Sequence, residues 1–156
     1  MRLNLRLGRG LRLAAIACVV ARAAAAQATG AAPASIAIVG SDYAFIQFPA
    51  TIAAGPTRFS FENRGTVRHE MSMVLLKAGV TVDSVLKRGP GGAGSRAMAE
   101  KLIGILIARP AESAGGELLV RLEAGQRYLV VCTLKDAPDA QPHTTMGMVA
   151  SFTVIP

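Results

Sequence analysis

Cys132, His143 and Met148 crowd the C-terminal part of the chain. Cys132 ends the apolar run Tyr128-Leu-Val-Val, and ten residues separate it from His143. Met148 closes the segment His143-Thr-Thr-Met-Gly-Met. A thiolate, an imidazole and a thioether are soft or borderline ligands, which suit copper better than a hard ion. The chain has one other histidine, His69, in Asn63-Arg-Gly-Thr-Val-Arg-His-Glu70. Two histidines, one cysteine and one methionine make a complete donor set for one such ion.

The pattern Asn63-x-Gly65…His69-Glu70, then Tyr128-x-x-x-Cys132, then His143-x-x-x-Gly147-Met148 resembles the cupredoxins. These are electron-transfer proteins of the plastocyanin and azurin type, and the resemblance runs from about Ser35 to the C-terminus. It implies a type 1 copper site with one ion. Cys132 would supply the thiolate, His69 and His143 neutral imidazole nitrogens, and Met148 a weak, long axial bond. Met146 shares the loop and is the rival axial donor, but the Gly-Met step matches Met148. The implied activity is one-electron carriage between redox protein partners, with no substrate bond made or broken, so the chain is not expected to be an enzyme. The span from Cys132 to His143 is longer than in plastocyanins and azurins. Its ten residues must therefore fold back on themselves to return the imidazole to the thiolate.

Each residue also has a plainer reading. A single histidine is commonly a surface or structural residue, and a free cysteine commonly packs in a core. That both histidines and Cys132 fall on one family pattern favours ligation. Asn63 either bonds across to the loop bearing Cys132 or serves a plain turn. Glu70 either orients the neighbouring imidazole or faces water. Met71 and Met73 follow His69 at period two, and alternation makes them core filling rather than a metal track. Tyr128 reads as core or edge packing.

The elements that must position these residues are mostly strands. Ser35–Val39, Tyr43–Pro49 and Thr57–Phe61 alternate, with Ile52–Pro56 read as a turn and Asn63–Arg68 as the loop presenting His69. Val80–Arg88 reads as a short helix capped by Thr81 and stopped by Gly89, followed by a second helix from Ser95 through Leu102. Ile103–Ile107 is a branched strand, and Pro110–Gly116 a turn. Glu117–Leu122 and Arg127–Cys132 flank Glu123-Ala-Gly-Gln as a hairpin, and Met148–Ile155 closes the sheet. The expected fold is all-β, a Greek-key β-sandwich of about seven to eight strands with a short helical insertion near residues 80–102.

A length of 156 residues suits one domain, here expected over 35–156. The formal charge of +7 is uneven. Arg2, Arg6, Arg9, Arg12 and Arg22 lie in the first 26 residues, which hold no acid; the rest carries 12 basic and 10 acidic side chains, about +2 net. That balance gives no basic footprint for nucleic acid. The basic start, the apolar run Leu11–Val20 and the alanines at 23–26 read as a signal peptide over 1–26, with 27–34 as a linker. The apolar run is too short to span a bilayer, so no transmembrane segment is expected after cleavage. Export would place the protein in the periplasm or outside the cell, as a monomer, with Cys132 as its remaining thiol. Two other functions fit the same residues: Cu(I) handling, or a cupredoxin-like binding module without metal.

Overall fold

The computed structural model describes residues 32–89 and 93–156. The expected signal peptide and residues 27–31 of the linker lie outside the described residues. Strands β1 (Ala34–Ser41), β2 (Ala44–Ile46), β4 (Gly55–Asn63) and β7 (Leu118–Leu122) form one sheet in the order β2-β1-β4-β7. The second sheet runs β3 (Thr51–Ala53), β9 (Val149–Ile155), β8 (Arg127–Val131), β5 (His69–Leu76) and β6 (Ala99–Ala108). The β1–β4 and β3–β9 pairs are parallel, and the other pairs are antiparallel. Helix α1 (Val82–Lys87) and the single turn α2 (Ala93–Arg96) stand between β5 and β6. Among the described residues no helix is long and apolar enough to cross a membrane.

The core follows from alternation. Along β4, Thr57, Phe59, Phe61 and Asn63 are buried, while Arg58 is exposed and pairs with Glu117. Ile38, Phe59 and Phe61 from one sheet meet Met71, Met73, Val130, Phe152 and Val154 from the other. Tyr128 stacks on Phe152 with centroids 4.8 Å apart and planes 6° from parallel. Its hydroxyl donates to Gln126 Oε1 at 2.6 Å, so the buried ring keeps its polar end partnered. The two methionines therefore fill the core, as alternation from His69 suggested.

The second sheet is covered on part of its outer face as well. Leu76, Leu129 and Val131 pack with Val85 of α1. A strand with both faces covered reads as a continuous apolar run rather than an alternating one, which explains Tyr128-Leu-Val-Val. Thr81 caps α1 through a reciprocal pair of bonds with Ser84, and Gly89 follows at φ +77°, as its sequence signals imply.

The structure corrects several local expectations. Nine strands form among the described residues, not seven to eight. The second strand shrinks to Ala44–Ile46, because Tyr43 (φ 60°) and Gln47 (φ 53°) sit in left-handed backbone on either side. Ile52 and Ala53, read as turn, belong to β3 and pair with β9. Leu102 lies in β6 rather than in a second helix, since pairing with β5 along Ala99–Ala108 outweighs local helical spacing. Glu117–Cys132 is not a hairpin: β7 pairs with β4 and β8 with β5 and β9, so Glu123–Gln126 is a corner between sheets.

Phe59 is fully buried and packs 5.9 Å from Phe152 across the sandwich. Phe59→Ala should cost about 3–5 kcal/mol of stability through lost burial and an unfilled cavity. Urea unfolding followed by circular dichroism measures this, and a loss below about 1 kcal/mol would show that the two sheets do not depend on this contact.

Candidate metal centre

Three strands bring their ends to one rim of the sandwich. Alternation along β5 puts His69 on the same inward side as Met71 and Met73. Cys132 follows β8 and continues the inward series Tyr128, Val130. His143 opens a 3-10 turn, His143–Met146, at the end of the long loop. His69, Cys132 and His143 are all fully buried.

The long loop does fold back. His143 N–H donates to Leu134 C=O at 2.9 Å, and Thr144 N–H donates to Cys132 C=O at 2.8 Å. The Thr144 hydroxyl donates to the same Cys132 carbonyl. Gly147 then turns the chain at φ +114°, a conformation that disfavours a side chain. Met148 is stapled to both partners: its N–H donates to His143 C=O at 3.0 Å, and its C=O accepts from Cys132 N–H at 3.2 Å.

The donor atoms converge. His143 Nδ1 lies 3.1 Å from His69 Nδ1 and 3.3 Å from Cys132 Sγ, and Cys132 Sγ lies 3.9 Å from His69 Nδ1. Nitrogen and sulfur donors bound about 2.0–2.3 Å from one transition-metal ion stand about 3–4 Å from one another, so these distances fit a shared ion. Burial, and then the neighbouring His143, holds the His69 imidazole below its ordinary pKa, so it is neutral and offers a lone pair. Burial also raises the Cys132 thiol pKa, against backbone hydrogen bonds from Glu70 and Leu134 that favour the thiolate. The Glu70 N–H reaches Sγ at 3.4 Å.

The surroundings are specific. Asn63 is buried; its Nδ2 donates to Val67 C=O (2.8 Å) and Ala108 C=O (3.2 Å), and its Oδ1 accepts from Gly65 N–H (2.8 Å). It thus ties the loop before His69 to β6 and does not bond the loop bearing Cys132. Glu70 neither orients an imidazole nor faces water, since its Oε1 accepts from Thr133 N–H at 2.9 Å and Thr133 Oγ1–H at 2.7 Å. A side chain at Gly65 would put a Cβ 2.5 Å from Asp42 Oδ1 and 2.9 Å from His69 Nε2, so only glycine fits that approach. The Nε2 of His69 is buried without a hydrogen-bond partner, and Asp42 Oδ1 stands 3.8 Å away.

Met148 is fully buried, and its methyl group lies near Gly40, where a Cβ would come within 3.1 Å of it. Met146 is 41% exposed. Two other residues escape a reading of the sequence. Asp136 Oδ1 lies 2.9 Å from His143 Nε2, and its Oδ2 accepts from Tyr43 O–H at 2.6 Å. The Tyr43 bond, together with the His143 bond, holds the Asp136 carboxyl below its usual pKa, so it is ionised and can only accept. The Tyr43 ring lies edge-on to both imidazoles, with centroids 5.0 Å from His143 and 6.2 Å from His69.

No protein-family model matches the chain, and no curated protein matches it. Solved structures do. The chain is similar to a dithionite-reduced auracyanin from the photosynthetic bacterium Roseiflexus castenholzii, at 21% identity and a TM-score of 0.53, over 80% of this chain and 99% of that one. It is similar to auracyanin B at 22% identity and a TM-score of 0.53, over 82% of this chain and 91% of that one. These likenesses make the sandwich a cupredoxin fold, as the sequence pattern implied.

Asn63 satisfies three backbone groups that no other described side chain replaces in the structure's bonding. Asn63→Ala should destabilise the metal-free protein by about 1–3 kcal/mol, the cost of leaving buried polar groups unmatched. Thermal or urea unfolding of the two proteins tests this; equal stabilities would mean that the loop before His69 holds itself.

Proposed function

We propose that the chain is an exported one-electron carrier that holds a single copper ion between His69, Cys132 and His143, with Met148 as weak axial donor. The observation that carries this is the convergence of two imidazole nitrogens and a thiol sulfur within 3.9 Å, all fully buried, at one rim of a cupredoxin fold. Copper supplies the one-electron couple. The chain supplies fixed donors: two come from neighbouring strands of one sheet, and the third from a turn bonded back to Cys132. Met148 is favoured over Met146 because it is buried and bonded through its backbone to both Cys132 and His143. The mature protein is read as a periplasmic or secreted monomer that meets a redox protein partner, and it makes or breaks no substrate bond.

The protein should take up one copper and show an intense visible charge-transfer band when oxidised, with reversible voltammetry. Cys132→Ser should abolish the band, because a hydroxyl does not give that transition. Met148→Leu should keep the band and raise the reduction potential, since losing a thioether disfavours Cu(II) more than Cu(I). Met146→Leu should change neither. A colourless protein after Cu(II) addition would defeat the carrier reading in favour of a metal-free module. Bound copper that exchanges without reversible cycling would favour a Cu(I)-handling protein.

A further inference from the structure

Asp136 belongs to the ten residues between Cys132 and His143, and the converging donor atoms are complete without it. Both its carboxylate oxygens are engaged: Oδ1 by His143 Nε2–H at 2.9 Å, Oδ2 by Tyr43 O–H at 2.6 Å. A buried N–H requires an acceptor, and an ionised acceptor makes a bond roughly twice as strong as a neutral one. With the proton on Nε2, the Nδ1 of His143 keeps a lone pair, and that atom faces Cys132 Sγ at 3.3 Å and His69 Nδ1 at 3.1 Å. His69 lacks an equivalent clamp, because its Nε2 is unpartnered and Asp42 stands 3.8 Å away. The two imidazoles are therefore held by different means. His69 is walled in by Gly65 and the Tyr43 edge, whereas His143 is gripped by a charge.

We propose that Asp136, braced by Tyr43, is a positioning residue that fixes His143 in the tautomer offering Nδ1 to the metal and sets the charge beside that ligand. The proposal rests on the copper reading above. A carboxylate bonded to a ligand imidazole raises the ligand's basicity, which favours the more highly charged ion. Asp136 should thus strengthen metal binding and lower the reduction potential. Tyr43 contributes by holding the carboxylate in place.

Three variants separate the hydrogen bond from the charge. Asp136→Ala removes both, Asp136→Asn keeps a carbonyl acceptor without the charge, and Tyr43→Phe removes the brace. In metal-free protein, long-range proton–nitrogen NMR should show His143 protonated on Nε2 and slow to exchange in the wild type and the Asn variant, but not in the Ala variant. Competition with a Cu(I) chelator should show about 10- to 100-fold weaker binding for the Ala variant, with most of that recovered by Asn. Voltammetry should show both Asp136 variants at a higher potential than wild type, and Tyr43→Phe shifted less in the same direction. Unchanged tautomer, affinity and potential in the Ala variant would overturn the proposal, as would an Asn variant that loses the Nε2 proton as fully as Ala. Wild-type protein that takes up no copper would defeat the carrier reading instead, while the metal-free NMR would still decide the Asp136 bond.

Discussion

Two imidazole nitrogens 3.1 Å apart, both fully buried and facing a thiol, are the constraint on which the rim of this sandwich depends. Lone pairs held that close in a buried site repel unless a proton or a cation lies between them. Two of the three groups are held by paired strands, and the third by a turn bonded back to Cys132. His69 is set by the start of β5, whose next inward residues, Met71 and Met73, are locked in the core. Cys132 is set by β8, which pairs with β5 on one side and β9 on the other. Preorganisation of this kind puts the cost of bringing these side chains together into folding rather than into any later binding of an ion.

The opposite sheet takes part through the loops at the same rim. Asn63 ends β4 and bonds the loop that precedes His69 to β6, so it joins the sheets at the site. Asp42 and Tyr43 follow β1; the first accepts from Thr66 N–H at 2.7 Å and the second lies edge-on to both imidazoles. The left-handed backbone at Tyr43 that truncates the second strand is therefore in the segment that delivers this ring. The local break in strand pairing and the enclosure of the donors coincide at one residue.

The residues that converge at the rim were legible in the sequence where they are tied to a pattern with a physical period. His69 heads an alternating run, Cys132 directly follows an apolar one, and Met148 directly precedes the closing strand, so a sandwich that buries those faces carries them to one rim. Partners on loops were not legible. Asp136 sits in a polar segment with no period, and only the actual path of the chain brings it to His143. The corner at Glu123–Gln126 was misread for a related reason. Turn-forming residues mark where the chain bends, while the sheet it rejoins is decided by tertiary pairing, here of β7 with β4. Glu70 was ambiguous because an acid beside a histidine does not reveal that its partner is Thr133, two residues past the end of the adjoining strand.

The long loop between Cys132 and His143 looks expensive, but loop-closure entropy grows slowly, by only about 0.6 kcal/mol for each doubling of length. Bonds made inside and at the base of the loop offset a cost of that size. His143 N–H to Leu134 C=O and Thr144 N–H to Cys132 C=O close it, and Lys135 Nζ reaches Pro138 C=O at 3.4 Å within it. The same loop carries Asp136, the acid placed against Nε2 of the imidazole it returns. The extra residues thus add, at small cost, a carboxylate against the Nε2 of one buried imidazole. A rigid sandwich can vary a site in this way because the loop changes length without changing the register of any strand.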